Sequence, residues 1–152
     1  MKLWERWTVG LLAVLVSATG LGYFWMKYLL VGDDPFAVVN HPWQPAMLAA
    51  HVLAAPGLLL MFGIILNSHI LRKLRATGVP NRRSGLTSFS TFFAMTASGY
   101  LPQVVTSSSL LRILVVVHVA AGVLFAAAYV IHLVISVRLA RRAPAPYLIK
   151  TA

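Results

Sequence analysis

Four histidines, His51, His69, His118 and His132, stand inside long apolar stretches of this 152-residue chain. An ionisable side chain in such a setting is costly unless it has a partner or a task. The chain offers little else for polar chemistry. It has no cysteine, which excludes disulfides, iron–sulfur ligation and thiolate zinc sites. Glu5, Asp33 and Asp34 are its only acidic residues and lie outside the apolar stretches, which leaves no carboxylate relay or cage. Any metal or cofactor must therefore be held by imidazole.

The spacing of these histidines suggests how. His118 and His132 are 132 − 118 = 14 residues apart, which at helical pitch returns the second ring to within about 40° of the first. His51 and His69 are 69 − 51 = 18 residues apart, a return to the same face after about five turns. Each helix so presents two histidines on one stripe. An isolated membrane histidine usually bonds between helices; two matched pairs on helices running the same way favour ligation. Imidazoles from facing helices at one depth supply the two axial ligands of a low-spin haem, so His51 pairs with His118 and His69 with His132, giving two haems b at two levels. The two intervals differ by about 6 Å along ideal helices, and Pro56-Gly57 is the expected kink that absorbs the difference. Small residues from Ala120 to Gly122 and from Ala126 to Ala128, with Gly57 and Gly63, leave room beside these helices, or simply let helices approach closely. Lys27 and Arg112 at one end, and Arg72, Lys73 and Arg138 at the other, are the cations available to propionates. His41, between Asn40 and Pro42, reads as a solvated loop residue.

The elements that must position the histidines follow from composition. Apolar residues make up 59% of the chain and charged residues 11%, far from a soluble balance. Four stretches can cross a hydrocarbon core as helices: about 7–31, 45–71, 86–105 and 110–137, the third rich in Ser and Thr. The expected fold is an all-α, integral membrane four-helix bundle forming one domain. The connectors carry turn chemistry, Gly32 to Pro35, His41 to Pro45, Thr77 to Asn81 and Thr106 to Ser109. No internal repeat is visible. A net charge of +10 would suggest nucleic acid in a soluble chain, but here the cations sit at the ends of the spans. Lys2 and Arg6, then Arg72, Lys73, Arg75, Arg82 and Arg83, then Arg138, Arg141, Arg142 and Lys150 fall on one side, 2 + 5 + 4 = 11 of the 13. The positive-inside rule makes that side cytoplasmic, with both termini inside a prokaryotic inner membrane. Met1-Lys2 and the small residues near Ala18 loosely fit a cleavable leader, but the apolar run continues through Trp25 to Val31 as a full span.

Histidine pairs on the second and fourth helices of such a bundle resemble the haem-binding half of cytochrome b and the small prokaryotic di-haem b-type cytochrome subunits. The interval from His118 to His132 is similar to that family's; the interval from His51 to His69 departs from it. The resemblance implies a subunit that passes electrons across the membrane between a quinone pool and a redox partner, inside a larger complex. The partner would be an attached subunit, a cytochrome or an iron–sulfur protein, with a quinone near Ser88, Ser90 and Thr91 or near His41 and Gln103. Two other readings stay open on the residues alone: a haem-free structural or assembly subunit whose basic loops meet anionic lipid, and a small metal conduit.

Overall fold

The computed structural model describes residues 2–32, 38–76 and 81–142. The turn residues Asp33 to Pro35 and Thr77 to Pro80, and Lys150, lie outside them. Helix α1 (Leu3–Phe24) runs on into a π-helical turn, Trp25–Leu29. Helix α2 (Gln44–Ile65), a second π-helical stretch (Leu66–Leu71) and the short α3 (Arg72–Arg75) form one continuous rod. Helix α4 (Arg82–Tyr100) ends in a 3₁₀ turn, Leu101–Gln103, and α5 runs over Ser108–Arg142. The described residues contain no strand.

Local chemistry explains the boundaries. The Lys2 backbone N–H donates to Glu5 Oε2 at 2.6 Å, closing the first turn of α1. At its far end, Asn40 Nδ2 donates to the carbonyls of Lys27 (3.0 Å) and Leu30 (3.2 Å), groups that the end of a helix leaves without partners. Pro45 sits in the first turn of α2, where no backbone donor is lost. Asn81 precedes α4 in the left-handed region, with φ 69°, a conformation Asn tolerates better than most residues. The third helix stops at Tyr100, earlier than position 105, because Pro102 cannot continue an α-helix and the chain tightens to 3₁₀.

The irregularity expected at Pro56-Gly57 lies elsewhere. Pro56 is inside α2, which continues through it without interruption. The departure from α-geometry comes 66 − 56 = 10 residues later, at Leu66–Leu71, and that stretch contains His69.

Three helices, Leu3–Leu29, Gln44–Arg75 and Ser108–Arg142, are long and apolar enough to cross a membrane. Their outward faces agree, since Leu11 (70% exposed), Leu53 (79%) and Val116 (67%) point away from the protein interior. Side chains of that kind need hydrocarbon around them. In α4 the hydroxyls of Ser88, Thr91 and Ser98 donate to the carbonyls of Ser84, Thr87 and Ala94, one turn back, so these polar groups are satisfied inside the helix.

Helix α1 packs along α2, and α4 along α5, making two helical hairpins. They meet at a waist to which all four long helices contribute: Ala13 and Val16, Leu58, Phe92 and Met95, and Ala121 and Phe125. Phe62 lies flat on Phe92, with ring centres 3.7 Å apart and planes 8° from parallel, and Phe125 stands 5.8 Å from Phe92. In a hydrocarbon setting, such close packing, more than the hydrophobic effect, is what holds helices together. Phe92 is 2% exposed and its neighbour Phe93 52%. Truncating Phe92 to Ala should cost about 3 kcal/mol in reversible unfolding from mixed detergent, whereas Phe93→Ala should leave the unfolding midpoint close to that of the parent.

Candidate functional site

Either side of the waist, the space between the hairpins opens into a cavity. The first, of about 340 Å³, is lined by His51 from α2 and His118 from α5. The second, of about 500 Å³, is lined by His69 and His132. Both volumes are in the range of small-molecule and cofactor pockets. Leu58 borders both cavities. The four histidines are therefore divided as their spacing suggests, one from each hairpin at each level.

At the first level the imidazoles are held with definite chemistry. His51 Nδ1 lies 2.9 Å from the Val16 carbonyl oxygen on α1, and His118 Nδ1 lies 2.9 Å from the Met95 carbonyl oxygen on α4. A carbonyl oxygen can only accept, so in each ring Nδ1 carries a proton, and in the neutral ring Nε2 then keeps its lone pair. This is the arrangement by which metal-ligating histidines are fixed, with the second nitrogen donating to a backbone carbonyl. The two ring centres stand 6.0 Å apart, with planes 80° from parallel. Both rings border the same cavity between the hairpins.

Glycine makes the approach possible. A Cβ on Gly20 would lie 2.8 Å from His51 Cε1, and one on Gly99 would lie 2.8 Å from His118 Cε1. The residue before each glycine, Thr19 or Ser98, turns its hydroxyl back on its own helix, donating to Leu15 O (2.7 Å) and to Ala94 O (2.6 Å). The hairpins correspond further. Ala13 and Phe92 each lie seven residues before the glycine (20 − 13 = 7; 99 − 92 = 7), and Leu58 and Phe125 seven after the histidine (58 − 51 = 7; 125 − 118 = 7). These are the waist residues, all buried. So a repeat that the sequence hides becomes visible once the chain is folded.

The second level is built differently. His132 Nδ1 lies 3.2 Å from Ser84 Oγ, whose own proton is directed to Asn81 Oδ1 and the Asn81 carbonyl. Asn81 Nδ2 in turn donates to the carbonyl of His132 (2.9 Å) and to Ser136 Oγ (3.0 Å), tying the start of α4 to α5. Gly85 faces His132, with a would-be Cβ 3.4 Å from Cε1. Among the described residues, His69 has no corresponding hydrogen bond.

The surrounding cations and polar groups differ in part from expectation. Lys27 lines the first cavity and Lys73 the second, but Arg6 and Arg82, not Arg72 and Arg138, complete the second, and Arg112 is not at the first. Lys27 Nζ stands over the rings of Tyr23 (5.4 Å) and Tyr28 (5.5 Å). Ser88 and Gln103 reach the cavities, while Ser90 is exposed. His41 is a loop residue, its Nδ1 accepting the Trp43 N–H at 3.1 Å. Gly122 and Ala126 border the first cavity, whereas Gly57 packs against Leu12 and Gly63 has open space beside it.

Sequence reasoning missed Gly20, Gly85, Gly99 and Ser84. Their signal was a Ser/Thr-Gly dipeptide at 19–20, 84–85 and 98–99, with 99 − 85 = 14 matching the interval between His118 and His132. No family model, curated protein or solved structure matches this chain.

Gly99→Ala should push His118 off its carbonyl partner, because the ring and the α4 backbone are both fixed. Gly85→Ala meets only a contact at the short edge of ordinary van der Waals distance, 3.4 Å. The imidazole Nδ1–H resonances read both by NMR: the His118 signal should shift or vanish in Gly99→Ala, with the His132 signal moving less in Gly85→Ala.

Proposed function

We propose that this chain is a membrane electron-transfer subunit that crosses the bilayer four times, with both termini cytoplasmic, and holds two haems b, one in each cavity. The observation that carries this reading is the His51/His118 pair: two imidazoles from different hairpins, each with Nδ1 fixed by a carbonyl of the neighbouring helix, lining one cavity with ring centres 6.0 Å apart. Among the described residues no group of three or more His, Asp or Glu side chains converges. Two ligands are too few to enclose a bare transition metal but suit an ion whose other four ligands come from a macrocycle. Haem b supplies reversible one-electron chemistry when bound.

The protein's part is positioning and electrostatics. His51 and His118 hold the first site, and His69 and His132 the second. Lys27 at one mouth, and Arg6, Lys73 and Arg82 at the other, offer cations to propionates. The many cations around Arg72–Arg75 and Arg138–Arg142 make that end cytoplasmic by the positive-inside rule. On this topology α4 is the third span in chain order; it is less apolar than the others and crosses with its hydroxyls back-bonded. The connectors between these helices are short, and on this reading substrate oxidation belongs to a partner. A cytochrome, an iron–sulfur protein or another subunit of a membrane redox complex would exchange electrons with this chain, and a quinone would react at a cavity mouth.

A pyridine haemochrome assay with a reduced-minus-oxidised spectrum tests the reading. The purified chain should carry about two haems b, and both His51→Ala and His118→Ala should lose the same one. Haem-free protein that is monodisperse and helical would instead favour a structural subunit whose histidines serve only as interhelical donors.

A further inference from the structure

The two levels are not equivalent, and the departure is confined to the first hairpin. Counting from the fixed pair, the residue of α2 that corresponds to His132 is 51 + 14 = 65, and position 65 is Ile, 5% exposed and packed with Val9 and Met61. The residue of α1 that corresponds to Gly85 is 20 − 14 = 6, and position 6 is Arg, which lines the same cavity. So the first hairpin supplies neither the imidazole nor the glycine that the second hairpin supplies at this level. His69 lies four residues beyond Ile65, within the π-helical stretch Leu66–Leu71. One π turn takes up about one residue of the excess, which leaves His69 roughly 4.5 Å further along the helix than its counterpart. No carbonyl or hydroxyl orients its ring among the described residues, whereas Ser84 orients His132. The cavity here is also the larger of the two, at about 500 Å³ against about 340 Å³.

From these differences we infer that the second site has one permanent ligand, His132, and one displaceable ligand, His69, so that it admits a small exogenous ligand which the first site refuses. This rests on the haem reading above. The chemistry of the ligand follows from the site: a small neutral molecule able to bond to reduced iron, entering a space bounded by Ile65 and Phe125. At the first site, the His51 and His118 imidazoles are both braced from behind by backbone carbonyls, so neither gives up its place.

The test is carbon monoxide added to the dithionite-reduced, purified chain. Carbon monoxide should shift about half of the haem absorption, and His69→Ala should still purify with both haems and react with carbon monoxide to at least the same extent. His132→Ala should lose the reactive component and keep the inert one, whose presence also shows that the variant has folded. A wild-type spectrum untouched by carbon monoxide, or a His69→Ala protein carrying only one haem, would overturn the inference and make the second site an ordinary bis-histidine one. Wild-type protein with no haem at all would instead bring down the haem reading, and this inference with it.

Discussion

An imidazole placed in a water-free interior must give its N–H to something, and most of the architecture of this chain depends on where that proton goes. At 51 and 118 it goes to the backbone carbonyl of the neighbouring helix in the same hairpin. That carbonyl is within reach only because glycine, one turn further along, leaves no Cβ in the way. One contact therefore sets three things together: how closely the two helices of a hairpin lie, which tautomer the ring adopts, and the direction in which its other nitrogen looks. Both hairpins make the same contact. When they meet, the two rings stand in one cavity with their centres 6.0 Å apart.

What brings them face to face is the waist. Phe62, Phe92 and Phe125 fill the middle of the bundle, and bulky rings there hold the hairpins apart above and below as much as they join them at the centre. The cavities are consequences of that shape. Their walls are mostly apolar and their mouths carry the cations, so any occupant with a flat apolar body and acidic edges meets matching surroundings at both levels. The second level adds a polar brace from Asn81 through Ser84 to His132, which also fixes where α4 begins.

Much of this was legible in the residues. The helical class, the long apolar spans and the division of the histidines into two levels follow from composition and from intervals of 14 and 18 residues. The kink was misplaced because proline is the obvious helix breaker, yet a membrane helix tolerates it where neighbours re-satisfy the backbone. The π-helical stretch around His69 has no such marker. The glycines escaped notice for a different reason: they act on the helix opposite, and a sequence shows what a residue is but not what approaches it. The repeat escaped for the same reason, since Ala13 answers Phe92 and Leu58 answers Phe125 by position in space, with no likeness of side chain between Ala and Phe. Arg6 and Arg82, read as loop-end charges, turn inward to a cavity mouth because the helices carrying them start at that level.

The buried cluster at the waist contains only Ala, Val, Leu, Phe and Met side chains. These buried side chains carry no hydroxyl, carboxyl, amide or imidazole; Tyr129, which packs against them, brings a single phenol to one side, and the helix backbones bond to themselves. A proton hopping along hydrogen bonds from one face would find no next station there, and water has nothing polar to settle on. Electrons do not need such stations, since tunnelling through a few aromatic rings requires no covalent or hydrogen-bonded relay. On the proposed electron-transfer reading, the middle of the molecule would hinder ions while remaining passable to electrons, which would let the bundle sit in an energised membrane without discharging it.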